Sequence, residues 1–296
     1  MMFEGFTSRR VETSGAVINT VEAGSGPPLL LLHGYPQTHT MWHTTAPRLA
    51  GRFRVVCADL RGYGDSSKPP GGPRQEAYAK RAMAADMAEV MTALGYDTFF
   101  VAGHDRGARV AHRLARDFPD RVGKACVMDI APTLHMFENT DQAFATGYYH
   151  WFFLIQPDGL PERMIGADPA WFLKEKLRRW AAPGAQFAAE AVAEYVRCFS
   201  DPESIRASCD DYRAAAGVDL EHDRADRDVK VGCPLLVLWG ERGFVHRTYD
   251  VLNVWRRYAK DVEGRALDCG HFLPEEQPDA VAGELERFFA GNSPQT

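Results

Sequence analysis

The chain has 296 residues, of which 45% are hydrophobic and 25% are charged, and its formal net charge is −6. That length can bury one large α/β core with an inserted lobe, whereas the negative charge provides no basic field for nucleic acid. Because the sequence has no apolar run of about 18 residues and no secretory leader pattern, we expect a cytoplasmic protein that engages no membrane.

In the first half of the chain, short apolar runs alternate with segments whose apolar residues are spaced as in an α-helix. This alternation predicts a mostly parallel sheet with helices on both faces. In such sheets, ligands bind at the carboxyl ends of the strands. The predicted strands are Leu29–Leu32, Arg54–Ala58, Thr98–Ala102 and Ala125–Met128, and the predicted helices are Met41–Leu49 and Arg106–Phe118.

The alternation stops near the middle of the chain. From about residue 132 to about 229 the sequence is helical, aromatic and interrupted by Pro and Gly, and strands return only at Pro234–Gly240 and Arg265–Asp268. We therefore predict a core domain of residues 1–131 and 230–296, with a helical cap of residues 132–229 inserted into it. The tail after Ala290 is expected to fray.

The six cysteines show no C-x-x-C pair and no metal-ligand spacing. We expect reduced thiols, and we expect neither a metal nor another cofactor. The cysteines are Cys57, Cys126, Cys198, Cys209, Cys233 and Cys269.

The most informative segment is the pentapeptide GHDRG at residues 103–107, which stands between a predicted strand and a predicted helix. This is the context of a nucleophile elbow, with Asp105 in the position of the nucleophile. Its glycines allow a tight turn. A carboxylate there would attack an sp3 carbon and form an ester, whereas a serine would attack an acyl carbon. A plain surface turn is the alternative.

His271 follows the last predicted strand and is the candidate general base, which would activate water against the ester of Asp105. An imidazole base needs a carboxylate to orient it. We favour Asp129, at the end of the fourth strand, over Glu241, which follows the next strand. The adjacent Arg242 could hold Glu241 in a surface ion pair.

Two backbone N–H groups are candidates for an oxyanion hole. One belongs to Arg106, directly after the candidate nucleophile, and the other belongs to Tyr35 in the HGYP turn of residues 33–36. The alternative for this turn is an ordinary strand exit.

Arg106 and Arg109 lie three residues apart and therefore share one face of the elbow helix. Cations are disfavoured at a helix amino terminus, so this pair indicates an anionic ligand such as a substrate carboxylate. The arginines would also offset the repulsion between an anionic substrate and Asp105. Alternatively, they pair with protein carboxylates such as Asp65 or Asp129.

The HGYP turn, the DLRGYGDS loop of residues 59–66, the elbow and the late Gly-His occur in an order that resembles the α/β-hydrolase superfamily over essentially the whole chain. Aspartate nucleophiles in that superfamily belong to haloalkane dehalogenases, soluble epoxide hydrolases and haloacetate dehalogenases. The Asp-Arg-Gly elbow, Arg109 one turn later and the pair His150-Trp151 resemble the fluoroacetate dehalogenases.

This resemblance implies an α/β-hydrolase fold with a helical cap, a homodimer, and hydrolysis of 2-haloacetates through an ester. It implies that His150, Trp151 and Tyr212 surround the leaving halide; the alternative for the aromatic stretch 148–153 is a hydrophobic anchor of the cap. The remaining tryptophans are assigned to packing: Trp171, Trp180, Trp239 and Trp255.

Three other functions stay open. Haloalkane dehalogenases usually carry Trp after the nucleophile, where this chain has Arg106. Epoxide hydrolases use two cap tyrosines, and here Tyr212 has only Tyr148 or Tyr149 as a partner. A non-catalytic receptor for a small acid would need neither Asp105 nor a general base, and fold alone does not decide the point.

Overall fold

The structure is a computed structural model that describes residues 2–291. The tail that was expected to fray falls mainly on residues 292–296, which lie outside the described residues. Within the described range, the strands are β1 Thr7–Glu12, β2 Val17–Gly24, β3 Pro28–Leu32, β4 Arg54–Ala58, β5 Phe99–His104, β6 Val122–Met128, β7 Leu235–Gly240 and β8 Val262–Leu267.

These strands form one sheet in the order β1-β2-β4-β3-β5-β6-β7-β8. β2 is antiparallel to both β1 and β4, and the other neighbouring pairs are parallel. The central strands β3, β5, β6 and β7 are buried along nearly their whole length, which explains their continuous apolar sequence. The predicted mostly parallel α/β architecture is confirmed.

The α-helices of the described range vary from one turn to four. They are α1 Thr45–Leu49, α2 Lys80–Ala93, α3 Arg106–Asp117, α4 Thr133–Glu138, α5 Gln142–Gly147, α6 His150–Phe153, α7 Leu160–Gly166, α8 Pro169–Trp180, α9 Ala189–Phe199, α10 Pro202–Ala216, α11 Val218–Ala225, α12 Phe244–Thr248, α13 Val251–Trp255, α14 Leu273–Glu276 and α15 Pro278–Ala290. Short 3-10 helices cover His39–Trp42 and Glu76–Tyr78.

Helices α4 to α11 all lie between β6 and β7, in the stretch that the sequence assigns to a cap, and this described stretch contributes no strand to the sheet. Two expectations were wrong in detail. The helix predicted over Met41–Leu49 is split into a 3-10 turn and α1, and Trp171, assigned to packing, is 62% exposed. Among residues 2–291, no helix combines the length and apolarity needed to cross a bilayer.

Candidate active site

Asp105 stands in the sharp turn between β5 and α3, with φ +47° and ψ −113°. A non-glycine residue held at positive φ is strained, and such strain persists where the surrounding structure enforces it. The turn is tight because Gly107 has no Cβ; an added Cβ would lie 2.6 Å from the carbonyl oxygen of Leu32. Gly34 clears space in the same way, since a Cβ there would lie 2.9 Å from Asp105 Oδ1.

The Asp105 carboxylate is buried and lies near two histidines and two arginines. The backbone N–H of Tyr35 donates to its Oδ1 at 2.9 Å, whereas the N–H of Arg106 forms no hydrogen bond with it in the described structure. Burial alone would raise the pKa of this carboxyl, but His271, His104 and the neighbouring arginines lower it below its usual value. The carboxylate is therefore ionised at neutral pH and able to act as a nucleophile.

His271 lies next to two carboxylates. Its Nδ1 is 2.6 Å from Asp129 Oδ2, and its Nε2 is 3.9 Å from Asp105 Oδ2. The backbone N–H of Gly240 donates to the other Asp129 oxygen at 3.0 Å and fixes its orientation. Burial lowers the pKa of His271, but the hydrogen bond and charge of Asp129 outweigh that effect and raise it above its ordinary value. The imidazole is thus oriented with Nε2 toward the candidate nucleophile.

Glu241, the rival carboxylate, is placed elsewhere. It is exposed, its backbone N–H donates to the Leu267 carbonyl, and its side chain forms no hydrogen bond or ion pair with His271 in the described structure. The expected ion pair with Arg242 is also wrong, because Arg242 Nε donates to Asp268 at 2.6 Å. The geometry brings Asp129, and not Glu241, to the imidazole.

Arg106 is fully buried and held by a carboxylate that the sequence analysis did not single out. Its Nε and Nη2 donate to the two Asp211 oxygens at 2.8 and 2.7 Å, and Nη2 also donates to the Asp211 carbonyl. Its Cζ lies 4.2 Å above the Tyr212 ring. Neither Asp65 nor Asp129 pairs with it. Nη1 remains a buried donor without a partner in the described structure.

Arg109 is held differently. Its Nη1 donates to the Ala131 carbonyl and to Thr133 Oγ1 at 3.0 and 2.9 Å, and its Cζ lies 4.7 Å above the Trp151 ring. Within residues 2–291 it has no carboxylate partner, and its Nε is buried without any partner. Both guanidinium groups therefore present unsatisfied N–H donors in the protein interior, where such groups are costly unless a ligand pairs with them.

The three residues expected around a halide lie close together, on α6 and α10. The Tyr212 ring centroid is 5.6 Å from that of His150 and 6.3 Å from that of Trp151. Tyr212 Oη and His150 Nδ1 are buried polar atoms without partners in the described range. Burial, followed by the charge of Lys176, brings the pKa of His150 well below its usual value, so its imidazole is neutral and has one N–H.

Two further aromatic residues border this group. The hydroxyl of Tyr35 is buried without a partner in the described structure, and its ring is 5.3 Å from that of Tyr212. Trp180 lies 4.6 Å from the His150 ring and 5.4 Å from the His271 ring. Trp180 was assigned to packing alone, and Tyr35 was considered only for its backbone N–H.

Comparison with known proteins identifies the family of this chain. A family model described as the alpha/beta hydrolase fold matches residues 27–278. The chain belongs to the α/β hydrolase family. The stretch that matches includes both Asp105 and His271.

Relatives of this α/β hydrolase carry more than one activity. A Burkholderia sp protein named fluoroacetate dehalogenase is 46% identical over 290 residues, covering 98% of this chain and 95% of that protein. A soluble epoxide hydrolase from Corynebacterium sp. (strain C12) is 36% identical over 289 residues, covering 96% and 97%. A solved structure from Nostoc sp PCC 7120 is 57% identical, covers 99% of this chain and 100% of that one, and superposes with a TM-score of 0.97.

Asp211 is the main residue of this hydrolase site that sequence reasoning missed. Besides Arg106, it accepts a hydrogen bond from Tyr63 Oη at 2.7 Å and contacts Lys80 Nζ. These partners are far apart in the sequence, so no local pattern could connect them. Its neighbour Tyr212 was recognised only by resemblance.

The described part of the chain holds no group of three or more His, Cys, Asp or Glu side chains arranged for a metal ion. The residues around Asp105 offer instead a nucleophilic carboxylate, an oriented imidazole and unsatisfied cationic and hydroxyl donors. Such a set can form and hydrolyse a covalent ester.

Proposed function

We propose that this α/β hydrolase converts 2-haloacetates to glycolate and halide, with fluoroacetate as the favoured substrate. The observation that carries the proposal is the pair of buried guanidinium groups near Asp105, each with an unsatisfied N–H donor. A carboxylate substrate would satisfy these donors. A neutral epoxide or chloroalkane would leave both of them desolvated and unpaired.

In the first step, Asp105 attacks C2 of the bound haloacetate. A new C–O bond forms as the C–halogen bond breaks, and the halide leaves with the bonding electron pair. Two negative charges about 4 Å apart repel each other by about 4 kcal/mol at an effective dielectric constant of about 20. The charges of Arg106 and Arg109 offset this repulsion.

The departing halide would be met by the N–H and O–H donors of His150, Trp151 and Tyr212. Fluoride is small and hard and gains more from hydrogen bonds than chloride does. Donors that hydrogen-bond to the halide only as its negative charge develops in the transition state lower the barrier to displacement and do not strengthen substrate binding. The buried hydroxyl of Tyr35, 5.3 Å ring to ring from Tyr212, adds a further donor on this side.

In the second step, His271 takes a proton from a water molecule as its oxygen attacks the ester carbonyl carbon of Asp105. The Tyr35 N–H, already 2.9 Å from Asp105 Oδ1, would stabilise the tetrahedral oxyanion. The imidazolium, which Asp129 stabilises meanwhile, gives its proton to the departing glycolate oxygen as the intermediate collapses, and the Asp105 carboxyl group that is restored loses its proton to solvent. Because Asp105 is already ionised, no base is needed to deprotonate it in the first step. His271 is therefore needed only in this second step.

An epoxide hydrolase is the second candidate, favoured by the Corynebacterium relative and by the two unpartnered hydroxyls of Tyr35 and Tyr212. The two tyrosines that the sequence offers as its partner, Tyr148 and Tyr149, each contact another side chain. Tyr149 accepts a hydrogen bond from Lys176 at 2.7 Å, and Tyr148 stacks on Phe244 with ring centroids 4.3 Å apart.

The experiment compares four substrates with the purified protein: fluoroacetate, chloroacetate, 1-chlorobutane and styrene oxide. Halide is measured by ion chromatography and diol by liquid chromatography. We expect halide and glycolate from both haloacetates and little turnover of the two neutral compounds. Rapid hydrolysis of styrene oxide without halide release from fluoroacetate would overturn the proposal in favour of an epoxide hydrolase.

A further inference from the structure

An open cleft of about 440 Å³ leads from the surface to His271. One wall is formed by residues 146–149, a second by residues 179–183 at the end of α8, and a third by residues 242–247 after β7. Three of the side chains along it are arginines, and we call it the arginine cleft. They are Arg179, Arg242 and Arg247.

The charge of this cleft is opposite to that of the whole protein. None of the residues that line it is an aspartate or glutamate, although the chain has a net charge of −6. Arg179 forms an ion pair with Glu175, and Arg242 forms one with Asp268. Arg247 is exposed and bonds only to the Arg242 carbonyl, at 3.4 Å, with no carboxylate partner among residues 2–291.

The inner end of the cleft adjoins the candidate reacting groups. Trp180 forms part of its wall, and the same ring lies 4.6 Å from His150 and 5.4 Å from His271. The backbone N–H of His271 also donates to the Trp180 carbonyl at 2.9 Å. The Trp180 ring therefore borders both the cleft and His150, as does the Tyr148 ring, whose centroid is 5.2 Å from that of His150.

We propose that the arginine cleft is the route by which the anionic 2-haloacid reaches Asp105, and that Arg247 attracts it electrostatically. The inference rests on the proposed function, because only an anionic substrate would be attracted. A concave patch of one sign concentrates ions of the other sign and raises association rates by about tenfold or more. Salt weakens such an effect, since the Debye length shortens from about 30 Å at 0.01 M to about 3 Å at 1 M.

The association rate can be measured without turnover. Asp105→Asn removes the nucleophile, and 19F NMR line shapes of fluoroacetate titrated into this variant give the dissociation rate and the dissociation constant, hence the association rate. Adding Arg247→Gln to it should lower the association rate about threefold or more at low ionic strength and much less near 0.5 M salt.

Arg52→Gln is the matched control. Arg52 is exposed, forms no ion pair with the described residues, and lies just before β4, at the amino ends of the parallel strands and therefore at the opposite edge of the sheet. Arg52→Gln changes the net charge by the same amount as Arg247→Gln but should leave the association rate unchanged. Equal slowing by both substitutions would mean that net charge and not the cleft governs association, and would overturn the proposal.

A second variant allows the charge at position 247 to be changed by chemical modification, so that the conclusion does not depend on Arg247→Gln alone. Five of the six native cysteines are buried and Cys233 is half-buried, whereas position 247 is exposed, so Arg247→Cys provides the more accessible thiol. Reaction with a cationic methanethiosulfonate should restore fast association, and reaction with an anionic one should slow it below the unmodified variant. Equal rates with both reagents would exclude steering at this position.

Failure of the proposed function has a different signature. If fluoroacetate shows no binding in the 19F titration and the parent protein hydrolyses styrene oxide, the substrate is not a haloacid and both proposals fall. If fluoroacetate binds but its association rate is indifferent to charge at residue 247, the cleft proposal alone is wrong.

Discussion

Replacing Asp211 with Asn should destabilise the fold and weaken haloacetate hydrolysis together. The Asp211 carboxylate is completely buried and neutralises two buried cations, Arg106 and Lys80. Burial raises its pKa, but those two charges bring it well below its usual range. Removing one member of a buried charge pair costs about 3–5 kcal/mol. We expect about 3 kcal/mol, because Asn keeps one acceptor and Lys80 retains Asp219 at 3.7 Å.

That loss should leave a folded protein, since domains are typically stable by about 5–15 kcal/mol. Urea denaturation followed by Trp fluorescence measures it. With Arg106 no longer fixed, kcat/KM for fluoroacetate should fall about tenfold or more, equivalent to about 1.4 kcal/mol. Asp210→Asn, one residue earlier on α10, is the matched control: its partners Arg206 and Arg213 are partly exposed, so about 1 kcal/mol or less should be lost.

The role assigned to Arg106 would be refuted if Asp211→Asn cost no more stability than Asp210→Asn and kept the parent kcat/KM. A loss of stability without a loss of kcat/KM would make Asp211 purely structural.

The remaining predictions concern the reacting groups. His271→Ala should release one equivalent of halide and accumulate a glycolyl adduct, detected by intact-mass spectrometry, because only ester hydrolysis needs the base; no adduct and no halide burst would contradict this. Turnover should fall as pH drops through the raised pKa of His271, since the protonated imidazole is no base. Asp129→Asn should cut turnover by orders of magnitude and move that acid limb to lower pH, whereas Glu241→Gln should be mild, and the reverse ranking would reassign the acid. Trp151→Phe should slow fluoroacetate about tenfold more than chloroacetate; equal slowing would leave Trp151 with a packing role.

The central strands were predictable because their sequences are continuously apolar. The edge strand β1 was missed because five of its six residues are exposed, so it shows no apolar pattern. β2, its antiparallel partner, was missed with it. The predicted helix over Met41–Leu49 is interrupted at residues 43–44. The sequence does not indicate this break, because neither proline nor glycine stands there.

The site residues that belong to motifs in a recognisable order could be predicted from the sequence. Those that come together only through tertiary packing could not. Asp105 and His271 stand at strand ends in recognisable turns, and the parallel sheet brings those ends to one edge. The contact between Asp211 and Arg106 joins residues 105 positions apart on α10 and α3, and the approach of Trp180 to His271 depends on how α8 lies over the sheet. Such contacts are set by tertiary packing and have no signature of their own in the sequence.

The central claim is that Asp105 carries a covalent ester whose carbonyl carbon is attacked by water. A single turnover of fluoroacetate in 18O-labelled water, with enzyme in excess, tests it directly by mass spectrometry of the peptide containing Asp105. We predict one heavy oxygen in the Asp105 carboxylate and unlabelled glycolate from that first turnover. Label in the glycolate and none in the peptide would mean that water displaces the halide directly, and would contradict the account.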